Sequence, residues 1–416
     1  MRMVYRFGQL FDIIDGDRGK NYPGDSDFLD EGYCLFLNAG NVTKNGWSFE
    51  SNSFITKEKD EQLRKGRVNR GDTVFTTRGT VGNAAYYSEK VLYDHMRINS
   101  GMVILRAKDN SVIDSEFIYY LVTSPLARKT IELYCSGSAQ PQLPIKDFVK
   151  IKYDLPSINR QRQIVSVISA FDNLIDINNK RIRVLEQMAE NLYKEWFVRF
   201  RFPGHETAEF ENDLPKGWML KRADEVITFN PNLAVKDQTQ FTIIPMEALS
   251  TTSMVLDSTC FVLQDTISGR RSQNGDTLLA KITPCLENGK TGFVMGMPDG
   301  EVFGGSTEFV VMRSKALNPY YVYWLARSYY FRQTAILSMN GADGRQRVDE
   351  DKLKSMKIIQ PSKTVLEWFE RIIAPVFDEI NTFVNSNISL SKQRDLLLPR
   401  LMSGRMEVNL EEHVNE

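Results

Sequence analysis

Few side chains in this 416-residue sequence are of types and spacings that perform covalent or metal chemistry. The four cysteines, Cys34, Cys135, Cys260 and Cys285, lie far apart and form no CxxC pair. The three histidines, His95, His205 and His413, share no ligand spacing. No zinc site is expected, and scattered thiols fit a reducing cytoplasm. "NGKT" (288–291) ends like a phosphate-binding loop, but Pro284 stands where the first glycine belongs. "NPYY" (318–321) faintly echoes the N-P-P-Y of amino-methyltransferases, yet helix capping explains it better. "PDGE" (298–301) offers two acids without the lysine and metal constellation a nuclease needs. No glycine-rich fingerprint for S-adenosylmethionine is present, so no cofactor is expected in this chain. A catalytic role is not expected either.

What remains are cations, amides and hydroxyls on loops, and the elements that position them are duplicated. "GDTVFTTRGT" (71–80) returns as "GDTLLAKITP" (275–284), a shift of 204 residues (275 − 71). "DSEFIYYLVTS" (114–124) matches "NPYYVYWLARS" (318–328) at the same shift. Both read as amphipathic helices opened by a capping residue, Asp114 and Asn318, with Pro319 at the first helical position. "SGSAQPQL" (136–143) lies over "NGADGRQR" (340–347), and "LPS" (155–157) over "QPS" (360–362) after one inserted residue.

A long helical pattern follows each Pro-Ser. Ile168, Phe171, Ile175, Asn178, Ile182, Leu185, Ala189, Leu192 and Trp196 step by three and four. So do Ile373, Val376, Ile380, Phe383, Asn387, Leu390, Arg394, Leu397 and Leu401. That is a narrow heptad seam. About 40 residues of helix make a rod of roughly 60 Å. Two such rods pair most simply with each other. Pro375 is expected to kink the second, and Pro203-Gly204 to end the first. Each seam holds one asparagine, Asn178 and Asn387. Placing them opposite each other in an antiparallel pair also brings Trp196 opposite Phe369 and Ile168 opposite Leu397. A hydrogen bond between the two amides would then fix the register at some cost in stability.

The segments before each rod, 1–150 and 210–355, are rich in short β-type runs punctuated by Gly, Asn and Asp. They read as two strand-rich globules. The formal net charge of −1 argues against an indiscriminate polyanion binder, although a basic groove can hide within a neutral total. The N-terminus lacks the apolar core of a secretory signal, and no run of about 18 apolar residues suggests a membrane span.

Globule, long helix, globule, long helix, with the halves alike, resembles the DNA-specificity (S) subunit of type I restriction–modification systems. The resemblance covers essentially the whole chain. "LPSINRQRQIVSVISAFDNLIDINNKRIRVLEQMAENLYKEWFVRFRFPG" is similar to that family's central spacer, its "LYKEWFVRFRFPG" ending most specifically. "QPSKTVLEWFERIIAPVFDEINTF" with "RDLLLPRLMSG" is similar to the C-terminal counterpart. The resemblance implies an α+β fold: two strand-rich target-recognition domains separated by two long helices that pair as an antiparallel coiled coil, with an internal pseudo-twofold repeat. The expected division is 1–156 for the first recognition domain and 157–202 for the central helix. Residues 203–361 hold the linker and second domain, 362–406 the C-terminal helix and 407–416 a tail. It implies a cytoplasmic, non-catalytic subunit. Each domain would read one half of an asymmetric site in double-stranded DNA. The helices would set the gap and dock two modification subunits that carry S-adenosylmethionine. Restriction subunits, ATP-dependent translocase–nucleases, can join that core. The competing readings are a stand-alone methyltransferase or nuclease, and a structural dimeriser that never touches DNA.

Sequence selection needs side chains that reach base edges, chiefly Arg, Lys, Asn and Gln, while phosphate contacts only position the protein. In the first domain the candidates are Arg78 with Thr77 and Thr80 in "TTRGTVG", and Gln140 and Gln142 in "SGSAQPQL", whose amides suit adenine. Arg64, Lys65, Arg67 and Arg70 suit phosphates. In the second domain they are Lys281, Lys290, Arg345, Gln346 and Arg347, with Arg270 and Arg271 on phosphates. The aromatic end of the first rod has two readings, core or docking surface. Core is favoured for Trp196, and Tyr193 and Phe197 are open.

Overall fold

The computed structural model describes residues 3–137, 141–235, 239–342 and 344–407. The chain divides into two compact units, residues 1–173 with 390–416 and residues 174–389. Both boundaries fall inside long helices rather than at their ends. The reason is local: each globule buries part of both seams in its own core.

Unit 1 centres on a four-stranded antiparallel sheet. Its strands are β1 (Phe11–Asp15), β2 (Thr73–Thr76), β3 (Ala84–Tyr86) and β4 (Met102–Ala107), in the spatial order β1-β4-β2-β3. Strand β2 is buried along its whole length, as its unbroken run of Thr, Val and Phe requires. Helices α1 (Ser115–Thr123) and α2 (Pro125–Glu132) follow, and the chain then enters the long helix α3 (Ile158–Tyr193). Asp114 caps α1 by accepting from the N–H groups of Glu116 and Phe117. Ser124 both closes α1, donating to Leu121 O at 2.7 Å, and caps α2, accepting from Ala127 N–H.

Unit 2 repeats this plan with β5 (Ile227–Phe229), β6 (Thr277–Ala280), β7 (Thr291–Phe293) and β8 (Phe309–Ser314), in the order β5-β8-β6-β7. Helices α4 (Pro319–Arg327) and α5 (Tyr329–Leu337) come next, then the second long helix, α6 (Lys363–Ser403). Asn318 caps α4, and Ser328 stands between α4 and α5 as Ser124 does between α1 and α2. A smaller sheet with one parallel strand pair accompanies each main sheet. It has four strands in unit 1 and three in unit 2.

The repeated Gly-Asp-Thr is a structural device. Gly71 and Gly275 turn with φ of 90° and 86°, a region glycine enters without strain. Asp72, buried, accepts from Asn69 N–H and from Nε and Nη2 of Arg106 at 2.8 and 2.7 Å. Asp276 accepts from Gln273 N–H and from Nε and Nη2 of Arg313 at the same two distances. Each aspartate closes its own turn and ties β2 to β4, or β6 to β8. A bidentate, charge-assisted pair suits a position where water is excluded.

The seams behave as heptads should. In unit 1, Ile164 and Ile168 of α3 share one core with Leu398, Leu401 and Met402 of α6, and Asp172 Oδ1 meets Arg394 Nη1 at 2.7 Å. In unit 2, Asn178 Nδ2 donates to Asn387 Oδ1 at 2.9 Å, and the Trp196 and Phe369 rings lie 5.9 Å apart. Facing residue numbers rise on one helix as they fall on the other, so the two run antiparallel within each unit. Pro375 does not break α6, which stays helical from Lys363 to Ser403. Ile373 and Phe377, on either side, are buried in the unit 2 core and hold the neighbouring turns in place. Nor does Pro203-Gly204 end the first rod. A π-helical turn, Lys194–Val198, closes it, and Phe200 takes φ 56°. The cause is aromatic packing, which draws Phe197, Phe200 and Phe202 onto Trp218. No helix among the described residues is long and apolar enough to cross a membrane.

Candidate nucleic-acid interface

In unit 1 the loop after β2 and the segment after α2 meet at one edge. Arg78 and Gln142 form an isolated β-bridge, and Gln142 exchanges backbone bonds of 2.8 Å with Ser136. Residues 64 positions apart (142 − 78) thus stand side by side, both exposed. Among the described residues the Arg78 guanidinium has no partner. Thr80 is also exposed, and its carbonyl receives the Thr76 hydroxyl. Thr77 is buried instead. Its N–H and hydroxyl both donate to Gly101 O, so it holds the loop and offers nothing outward. Gln140 lies outside the described residues.

The basic run 63–70 divides. Arg64 and Lys65 are exposed with free side-chain ends among the described residues. Arg67 is not a free phosphate clamp, because it pairs with Asp60, which also binds the buried Arg97. Burial pushes the Asp60 carboxyl up, but the two guanidiniums outweigh it and hold it below the usual range. Arg70 is spent on structure as well. It donates to Ser88 O, Val91 O and Asp94 and lies 4.1 Å over the Tyr87 ring. One planar donor fork can satisfy several carbonyls at a loop closure, which sequence spacing does not disclose.

In unit 2 the corresponding edge is formed by the loop after β6 and the segment 340–347. Asn340 and Arg347 exchange backbone bonds, Ile282 bridges Arg347, and Thr283 N–H donates to Gln346 O. Lys281 and Arg270 converge on Glu350 Oε1 at 3.0 and 2.9 Å, while Asn230 donates to its Oε2. Both cations are partly buried, and the single carboxylate balances one of their two charges, so the cluster keeps a net charge of +1. Arg347 makes a bidentate pair with Glu308, its Nε and Nη2 lying 2.9 and 2.7 Å from the carboxylate oxygens. That guanidinium holds the Glu308 carboxyl below the usual range. Lys290 Nζ donates to Met246 O, and Arg271 Nη1 to Leu233 O. Both bind their own unit's backbone instead of standing free. Arg345 is exposed, and Gln346 is half-buried.

Sequence reasoning therefore found the edges but not the acids. Glu308 and Glu350 lie 39 and 69 residues from the cations they hold, and no local pattern marks them. The aromatic end of α3 is core. Tyr193, Trp196 and Phe197 are buried with Tyr321 and Phe369, which removes Tyr193 and Phe197 as a docking surface. No cluster of three or more metal-ligating side chains occurs among the described residues.

Residues 2–187 match the family described as the type I restriction modification DNA specificity domain. The specificity subunit of the type I restriction enzyme MjaIX of Methanocaldococcus jannaschii is 24% identical over 353 residues, spanning 82% of this chain and 78% of that one. The EcoEI specificity subunit of Escherichia coli is 29% identical over 226 residues, 51% of this chain and 38% of its own. The crystal structure of the type I S subunit from M. genitalium shares the fold, with TM-score 0.55 over 96% of each chain at 12% identity. The fold, a duplicated α+β unit on paired long helices, is the one that this S subunit shares. By the family model over residues 2–187 and by relatives aligned over most of its length, this chain is similar to the specificity subunits of type I restriction–modification systems.

Proposed function

We propose that this chain supplies the DNA address for a type I enzyme and carries no chemistry or cofactor of its own. The globule of unit 1 reads one half of an asymmetric, bipartite duplex site, and the globule of unit 2 reads the other. The paired helices set the number of base pairs between the halves, as a shared scaffold does for any two linked readers. They also dock two modification subunits, which hold S-adenosylmethionine and methylate adenine. Restriction subunits join that core for cleavage. Arg78, Thr80 and Gln142 face bases in the first half-site, with Arg64 and Lys65 on phosphates. Arg345, Gln346 and Arg347 serve the second. The Asn178–Asn387 bond sets the register of the helices and hence the gap.

The observation that carries this reading is the duplication: one backbone plan built twice, each copy ending in a long seam helix, with different side chains at the same edge. A random duplex pool, bound by the chain together with its modification subunit, tests it. Enrichment of one gapped motif is the expected result. Exchanging residues 1–150 for another recognition domain should alter one half of that motif alone. No enrichment would favour a scaffold. Methyl transfer or cleavage by the purified chain alone would establish an enzyme.

A further inference from the structure

The two units build the same backbone frame at this edge and hang different side chains on it. In unit 1, Thr77 N–H donates to Gly101 O and Leu143 N–H to Thr77 O, both at 2.9 Å. In unit 2, Lys281 N–H donates to Glu308 O and Val348 N–H to Lys281 O, both at 2.9 Å. The Ser136–Gln142 bridge in one corresponds to the Asn340–Arg347 bridge in the other. These bonds align Thr77 with Lys281, Gly101 with Glu308, and Gln142 with Arg347. Behind the edge the turn keeps its residues: Gly71 and Gly275, Asp72 and Asp276, Arg106 and Arg313. At the edge all three positions change. A retained backbone frame that carries different side chains at its edge is what two readers of unlike half-sites require.

The chemistry of the changed positions is specific. A guanidinium carries five N–H groups in a fixed plane. The side-on pair of Arg347, Nε–H and one Nη2–H, is taken by Glu308. The end-on pair, Nη1–H and the other Nη2–H, has no partner among the described residues. Two parallel donors of that spacing match O6 and N7 of guanine in the major groove, whereas a glutamine amide matches N6 and N7 of adenine. The Arg347 side chain is 49% exposed and that of Glu308 24%, so the carboxylate sits beneath the guanidinium it orients. Gly101 gives Gln142 no such support, and an uncharged amide needs none.

We propose that Arg347 reads a guanine in the half-site of unit 2, and that Glu308 is the positioning residue that fixes the plane of its guanidinium. This rests on the reading of the chain as a DNA-specificity subunit. The test uses the full chain with its modification subunit on a random duplex pool, comparing the parent with R347Q, R347K and E308Q. Each variant's melting temperature is measured to confirm folding. Both Arg347 variants should lower the guanine preference at one position about tenfold or more, leaving the other half-site unchanged. R347Q should take up adenine there. E308Q should weaken the same preference at the same position and no other. An unchanged motif in R347Q overturns the proposal. So does R347Q weakening all sequences alike with a salt slope lower by about one, the mark of a phosphate contact. Absence of any gapped motif with the parent chain would instead refute the specificity reading, and this inference with it.

Discussion

Leucine at position 387 should destabilise unit 2 more than leucine at position 178, although the two asparagines share one hydrogen bond. Asn178 is 7% exposed, and its Nδ2 donates to Asn387 Oδ1 at 2.9 Å. Its other described contact is Ser386 Oγ at 3.4 Å. N387L therefore strands a buried donor, at a cost of about 1–3 kcal/mol. Asn387 is only half-buried, and its own Nδ2 donates to Asn179 Oδ1 at 2.8 Å. In N178L it keeps that bond and turns its free oxygen to water, so the loss is closer to the net value of one hydrogen bond, about 0.5–1.5 kcal/mol. The double variant places two leucines in an apolar seam and should be near neutral or stabilising. Urea unfolding at constant m-value gives the three numbers. Tryptophan fluorescence is a suitable probe because Trp196, Trp218, Trp324 and Trp368 all lie in unit 2. If N178L costs as much as N387L, or the double variant costs the sum of the singles, the amide pair is not the buried bond described here.

Three further outcomes follow from the same structure. At Gly269, φ is 70° and a Cβ would stand 1.7 Å from Gly305 O, so G269A should cost about 3 kcal/mol, read as a fall in melting temperature. Burial raises the Glu186 carboxyl above its ordinary 4.5, only partly offset by bonds from Ser253 Oγ and Met254 N–H. A raised folded value contributes stability that is complete below 4.5 and lost as pH rises through that higher value. E186Q keeps the acceptor and removes the charge, so melting between pH 4 and 7 should lose this decline; an identical decline in E186Q would contradict it. Finally, R70A should lower the melting temperature by releasing the loop at 88–94 and leave the salt dependence of DNA binding intact. R64A should do the reverse, reducing the salt slope by about one. Equal slopes for R64A and the parent would remove Arg64 from the phosphate contacts.

The sequence by itself determined the duplication, the helix caps at Asp114 and Asn318, and the facing of Asn178 with Asn387. All three rest on short-range rules: a repeated motif at fixed offset, a side chain reaching two or three residues ahead, and a heptad whose one polar position seeks a like partner. It also located the two loop edges, since "TTRGT" and "SGSAQPQL" stand at the same offset from their Gly-Asp-Thr as "AKITP" and "NGADGRQR", but it missed the one-residue insertion that sets Arg347, not Gln346, in the place of Gln142. What it did not disclose is which cations are free. Arg67, Arg70, Arg270 and Lys281 look like Arg64 along the chain, yet carboxylates or carbonyls up to 80 residues away have claimed them. A charge is a long-range object, and its availability depends on the acids that folding brings beside it. The end of the first rod escaped for a related reason: Pro203-Gly204 carries a strong local signal, but packing of Phe197, Phe200 and Phe202 on Trp218 closes the helix earlier. Only the tertiary structure decided where the helix stopped, which basic side chains face outward, and that Glu308 stands under Arg347.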